Sequence, residues 1–198
     1  HERFYDKISK VYGTDKDEFY LSYLDDPIFK DRAKWLGKTL HQEDKKLTCL
    51  VFGLVEGLSL FSMFALLRSF QANGINKIVT TVKGTKQSAN DELLHSEYLA
   101  TTFQYYYGEL ESSLDLDVEY YDKLSEQTYN VFDLEKFILT EVIKTEGFPT
   151  DEFNGVKLTE YFDLLKVLAN VYFIRLGSRK LPFPEIETCT LYDWFFTS

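Results

Sequence analysis

Asn90-Asp91-Glu92-Leu93-Leu94-His95 sets a carboxylate and an imidazole three residues apart. On a helix, positions i and i+3 project from one face, so Glu92 and His95 can reach a single metal ion. Alone the motif is weak, because Glu and His meet at that spacing by chance on many exposed helices. A second carboxylate, Glu56, stands in the middle of LTCLVFGLVEGLSLFSMFALL, the apolar run from Leu47 to Leu67. An ionised carboxylate in such surroundings needs a partner, since uncompensated burial of charge is very unfavourable. A salt bridge to Lys or Arg, protonation of the glutamate, or a metal ion would each compensate it. No basic residue lies nearby on the same run. His1 and Tyr5 form a third pair, at i and i+4, which brings a phenol within one helical turn of an imidazole if the segment is helical. Read alone, they are a solvated chain end and an ordinary core tyrosine. His41 lies in a polar break and reads as a surface residue, while Tyr105-Tyr106-Tyr107 reads as helix packing.

Bringing such residues together needs long, rigid elements, and the composition suits them. The 198 residues are 44% apolar and include 17 Phe and 14 Tyr against only 4 Pro and 10 Gly. That balance favours aromatic-packed helices over a loop-rich or disordered chain. A net charge of −10 argues against nucleic acid or an anionic membrane surface as the main partner. Two cysteines, Cys49 and Cys189, exclude a disulfide scaffold and point to a reduced, cytoplasmic protein. The start, HERFYDKISK, is amphipathic and charged, unlike a secretory signal. Leu47–Leu67 is long enough to cross a membrane, but Glu56 at its middle favours a buried core helix.

The pattern predicts helices nearly throughout. They span Asp15–Leu24, the stretch from Pro27 to His41, and Lys45–Ala72, which Asn73-Gly74 ends. Ile75–Ser112 follows, with a kink expected between Val79 and Thr85, then Leu114–Glu146 and Leu158–Leu176. The tail from Leu181 contains two prolines and is expected to be irregular and packed on the surface. With no internal repeat or linker, the reading is a single helical-bundle domain over residues 1–198.

Taken together, these segments resemble the small, beta subunit of class I ribonucleotide reductase. His1-Glu2-Arg3-Phe4-Tyr5 is similar to the family's His-x-x-x-Tyr, and Asp31-Arg32-Ala33-Lys34-Trp35 to a Lys-x-Ala-x-Trp type segment. Val55-Glu56 falls where the family has a glutamate ligand, and Asp91-Glu92-Leu93-Leu94-His95 resembles its Arg-Asp-Glu-x-x-His signature. Ile174-Arg175-Leu176-Gly177 and Leu181-Pro182-Phe183 follow the family pattern as well. Asn90 stands in place of the usual arginine and Ser88 in place of a large apolar residue.

The resemblance implies an all-α, ferritin-like helical bundle with a di-metal carboxylate site. It implies two iron ions, or manganese, with His1 serving one ion and Glu56, Glu92 and His95 the other. Glu92 would bridge the ions, Asp91 would orient His1 and couple it to radical transfer, and Tyr5 would hold a stable radical. Leu60 and Phe64 would shield that radical. The implied activity is that of a ribonucleoside-diphosphate reductase small subunit, working as a homodimer with a large subunit that binds the nucleotides. Two further carboxylate ligands are expected upstream of His1, in a preceding segment or on a second polypeptide. Residues 1–198 would then be the C-terminal two-thirds of the family's domain. Other readings of the same residues are a ferritin-like di-iron or manganese oxidase, and a split or degenerate assembly subunit without activity of its own.

Overall fold

The computed structural model describes residues 6–7, 10, 13, 16–107, 118–145, 147 and 151–197. Two short helices, α1 (Lys16–Asp25) and α2 (Lys30–Leu40), come first, joined by a turn at Pro27. Asp44 caps the next helix by accepting the Leu47 backbone N–H at 3.0 Å. That bond holds the Asp44 carboxyl below its usual range. From there α3 (Lys45–Leu54), a π turn (Val55–Ser59) and α4 (Phe61–Ser69) follow one another as one apolar rod. The helix expected over Lys45–Ala72 is therefore broken in register at Glu56, where the wider π hydrogen bonding inserts. Among the described residues this rod is the one stretch apolar enough to span a membrane, and 72% of its most apolar window is buried inside the fold.

Asn73 and Gly74 adopt positive φ values of 50° and 76° and end the rod, as their residue types require. The chain then returns as α5 (Val79–Tyr107), which packs along α3, the π turn and α4. No kink interrupts Val79–Thr85; the irregularity sits just before it, at Asn76 and Ile78, whose φ values are 47° and 45°. Two more long helices, α6 (Val118–Thr145) and α7 (Leu158–Arg175), complete the packing around the rod. The core is aliphatic and aromatic, with Leu50, Leu54, Leu58 and Phe61 of the rod fully enclosed. Burying each such side chain stabilises the fold by roughly 1.5–3 kcal/mol.

Two further expectations need correction, and one element was not anticipated. Tyr105 and Tyr106 are 77% and 71% exposed, so that run is a surface feature rather than core packing. A hairpin, β1 (Glu152–Phe153) paired with β2 (Val156–Lys157), precedes α7. Its two-residue loop, Asn154-Gly155, has φ values of 53° and 76°, the conformation that matches the twist of antiparallel strands. The tail is not irregular throughout: α8 (Thr190–Thr197) buries Leu191 and Phe195 against the core. Asn170 of α7 pins the proline-containing approach to α8. Its side chain donates to the Phe183 and Ile186 carbonyls and accepts the Phe183 N–H.

The rod lies close against α7 at Gly53. Tyr172 is fully buried and donates its hydroxyl to the Leu50 carbonyl at 2.8 Å. A methyl group at Gly53 would overlap that phenol. Helix propensity favours alanine over glycine by up to about 1 kcal/mol, but overlap with an anchored, enclosed ring outweighs it. Gly53→Ala is expected to lower the unfolding free energy by about 1–3 kcal/mol, read from urea denaturation. A midpoint equal to that of the parent would show that the ring yields freely.

Candidate metal centre

The π turn decides where Glu56 points. In a continuous α-helix Glu56 and Ser59 would share a face. With the wider turn, Glu56 meets α5 while Ser59 meets α6. Neighbouring helices donate to carbonyls at and before the turn. Ser96 Oγ of α5 donates to the Gly53 carbonyl at 2.9 Å, Tyr172 to that of Leu50, and Arg32 to that of Ser59 at 3.4 Å. Gly57 brings α5 close, since a Cβ there would stand 2.5 Å from Ser96 Oγ. Ser96 directly follows His95, so this glycine–serine contact sets the separation between the segments that carry Glu56 and the Glu92–His95 pair.

Glu56, Glu92 and His95 converge, with one oxygen or nitrogen donor from each lying within 4.8 Å of the others. His95 Nδ1 is 2.8 Å from Glu92 Oε2 and 3.8 Å from Glu56 Oε2. The two carboxylates are mostly enclosed, at 15% and 8% side-chain exposure, while the imidazole is 59% exposed. Burial pushes the Glu56 carboxyl up to about 8, and its hydrogen bond and charge repulsion with Glu92 add to the rise. His95 shifts upward in turn, chiefly through its hydrogen bond to Glu92. Among the described residues the ion-pair partner of Glu56 is His95, and no lysine or arginine bridge to it is formed. Two hard carboxylates and an imidazole on rigid elements suit a divalent transition metal. Binding one would displace the protons that the cluster otherwise shares.

The other sequence-predicted site residues divide. Asp91 is exposed beside Glu92, close enough for its charge to raise His95. Leu60 is half-buried one turn beyond Glu56, and Phe64 is buried a further turn on, edge to face with Phe61 at 5.6 Å. His1 and Tyr5 lie outside the described residues. Sequence reasoning missed Gly57 and Ser96. It also missed a buried ion pair between Arg32 and Glu135, although Glu135 continues the apolar stripe of Leu124, Thr128 and Val131 along α6.

A helical bundle whose helices bring an i, i+3 Glu–His pair to a half-buried glutamate belongs to the ferritin-like, carboxylate-site class. The family model described as ribonucleotide reductase, small chain, matches residues 1–185, and the chain belongs to that family. No curated protein matches it. The family's part in ribonucleotide reduction and its metal centre accord with the donor set found at Glu56, Glu92 and His95.

The raised Glu56 carboxyl carries a stability consequence. Its value rises from 4.5 to about 8, so the folded state holds the proton more tightly than the unfolded chain does. Its contribution is therefore intact below pH 4.5, is lost as pH rises through about 8, and is constant above that. In metal-free protein, Glu56→Gln is expected to remove this loss and to gain roughly 1–3 kcal/mol over the parent at alkaline pH. Urea denaturation of both proteins at acid, neutral and alkaline pH checks it. An identical pH slope in both would refute the assignment.

Proposed function

We propose that the chain is the radical-generating component of a ribonucleoside-diphosphate reductase, with the large subunit supplying the nucleotide site. The observation that carries this reading is the convergence of Glu56, Glu92 and His95 in a chain of this family. When bound, two iron ions supply the redox chemistry that reduces dioxygen and oxidises a nearby phenol; manganese is the alternative metal. Glu56 and His95 would hold one ion and His1 the other, with Glu92 as a ligand shared between them. Asp91 orients His1, and Tyr5 is the phenol that keeps the radical.

The chain's own residues do the rest. The enclosed carboxylates take the cationic charge in a low-dielectric setting, where a fixed ligand is worth more than in water. Leu60 and Phe64 follow Glu56 at successive turns and keep water from the radical. Residues 1–198 act as one domain, in a cytoplasmic homodimer.

The test is an EPR spectrum after anaerobic Fe(II) loading and exposure to oxygen, with any co-purifying chain retained. A tyrosyl doublet is expected, and Tyr5→Phe is expected to abolish it along with reductase activity in the assembled complex. A silent spectrum from iron-loaded protein would replace the radical role by that of an oxidase or a manganese enzyme. Protein that takes up no metal would be an assembly subunit.

A further inference from the structure

Arg32 and Glu135 form a buried ion pair between α2 and α6, neither of which carries a member of the Glu56, Glu92 and His95 cluster. Their side chains are 7% and 0% exposed, and Arg32 Nη1 donates to both carboxylate oxygens at 3.1 Å. Arg32 Nε also donates to the Tyr23 hydroxyl at 2.8 Å, and the guanidinium lies over the Tyr23 and Phe29 rings. Such a pair is a poor source of stability, since stripping water from two charges offsets most of their attraction. Among the described residues its remaining hydrogen bonds go to the rod that carries Glu56. Ser59 Oγ donates to Glu135 Oε1 at 2.7 Å, Ser62 Oγ to Oε2 at 2.5 Å, and Arg32 Nη1 to the Ser59 carbonyl at 3.4 Å.

Ser59 is the last residue of the π turn and Glu56 its second. If the turn relaxed to α-helical register, the two would return to one face. Then either Ser59 would leave Glu135 or Glu56 would leave α5. The hydrogen bonds at Ser59 therefore oppose that relaxation from the end of the turn opposite the cluster.

We propose that Arg32 and Glu135 are positioning residues for the metal centre: through Ser59 they hold the π turn in the register that presents Glu56 to Glu92 and His95. The inference rests on the metal-binding reading above. It assigns a function to a charged pair that would otherwise be a costly substitute for apolar packing. Groups that orient metal ligands in this way typically change metal affinity by about 10–100-fold when removed.

The test uses the full chain, Co(II) as the metal alone, and two readouts: visible absorption on titration, and the melting temperature of metal-free protein. Replacing the pair by Arg32→Met with Glu135→Leu removes both charges together, which leaves neither unpaired and is expected to keep or raise the melting temperature. Co(II) binding is expected to weaken by about tenfold or more, with a changed visible spectrum. Ser59→Ala, a single small deletion, is expected to move affinity and spectrum in the same direction, and Ser59→Thr to restore them. If the double variant does not fold, Ser59→Ala and Ser59→Thr decide the matter. Parental affinity and spectrum in the folded variants would overturn the positioning role while leaving the metal reading intact. Failure of the parent itself to bind Co(II) would remove both.

Discussion

A buried helix that shifts its hydrogen bonding to a wider π turn leaves nearby carbonyls short of ordinary donors, in a place water does not reach. Around the turn the neighbouring helices supply donors: Tyr172 from α7 to Leu50 and Ser96 from α5 to Gly53, both before it, and Arg32 from α2 to Ser59 within it. Much of the bundle's geometry follows from that requirement. Gly53 lets the Tyr172 phenol come close, and Gly57 does the same for Ser96. Each donor ties a different helix to the same few residues of the rod. The turn is thus held from several sides, and it is also where Glu56 brings a carboxylate into the apolar interior.

Two enclosed glutamates in this fold have opposite surroundings, and the contrast distinguishes their roles. Burial pushes the Glu135 carboxyl up, but Arg32 and the Ser59 and Ser62 hydroxyls oppose that shift with charge and hydrogen bonds. Burial also works against the Arg32 charge, and Glu135 and Tyr23 more than offset it. Among the described residues Glu56 meets no such arginine or lysine; it faces a second carboxyl and a histidine that is already hydrogen-bonded to that carboxyl. A site optimised only for stability would not set these groups together. The same arrangement becomes favourable when a divalent ion supplies the missing positive charge, because the carboxylates need no longer share a proton. The carboxylate repulsion that helps raise Glu56 in the metal-free fold would be outweighed by the attraction of both groups to the ion.

The helical framework was legible in the sequence because it rests on period and punctuation. The ends at Asn73-Gly74 and Arg175-Leu176-Gly177 fall where glycine and asparagine permit positive φ. Glu56 was legible as an anomaly of charge within an apolar run, and Glu92 with His95 as a spacing. The π turn was not, since sequence period cannot reveal a single shift of register inside a run that is apolar on nearly every side. The Asn154-Gly155 hairpin carried its own signal in that dipeptide, but strands of two residues are too short to show alternation. In the tail, Pro182 and Pro184 dominated the reading, although Leu191 and Phe195 at i and i+4 mark a buried helical face beyond them. Tyr105 and Tyr106 misled because an aromatic run signals packing only if its residues lie on the inward face.

Glu135 shows how far such reading reaches. Its place on the stripe of Leu124, Thr128 and Val131 declares burial, yet nothing near it in sequence declares its partner, which stands 103 residues away at Arg32. Pairing of that kind is a property of topology, made only when α2 and α6 close on the rod. The same holds for the cluster itself, where Glu92 and His95 are local but Glu56 joins them only after the chain turns back beyond Gly74. Local spacing can therefore nominate a ligand pair, while the register of one turn and the donors around it determine whether a third ligand arrives. The geometry of this cluster depends on that register as well as on the identities of its three residues.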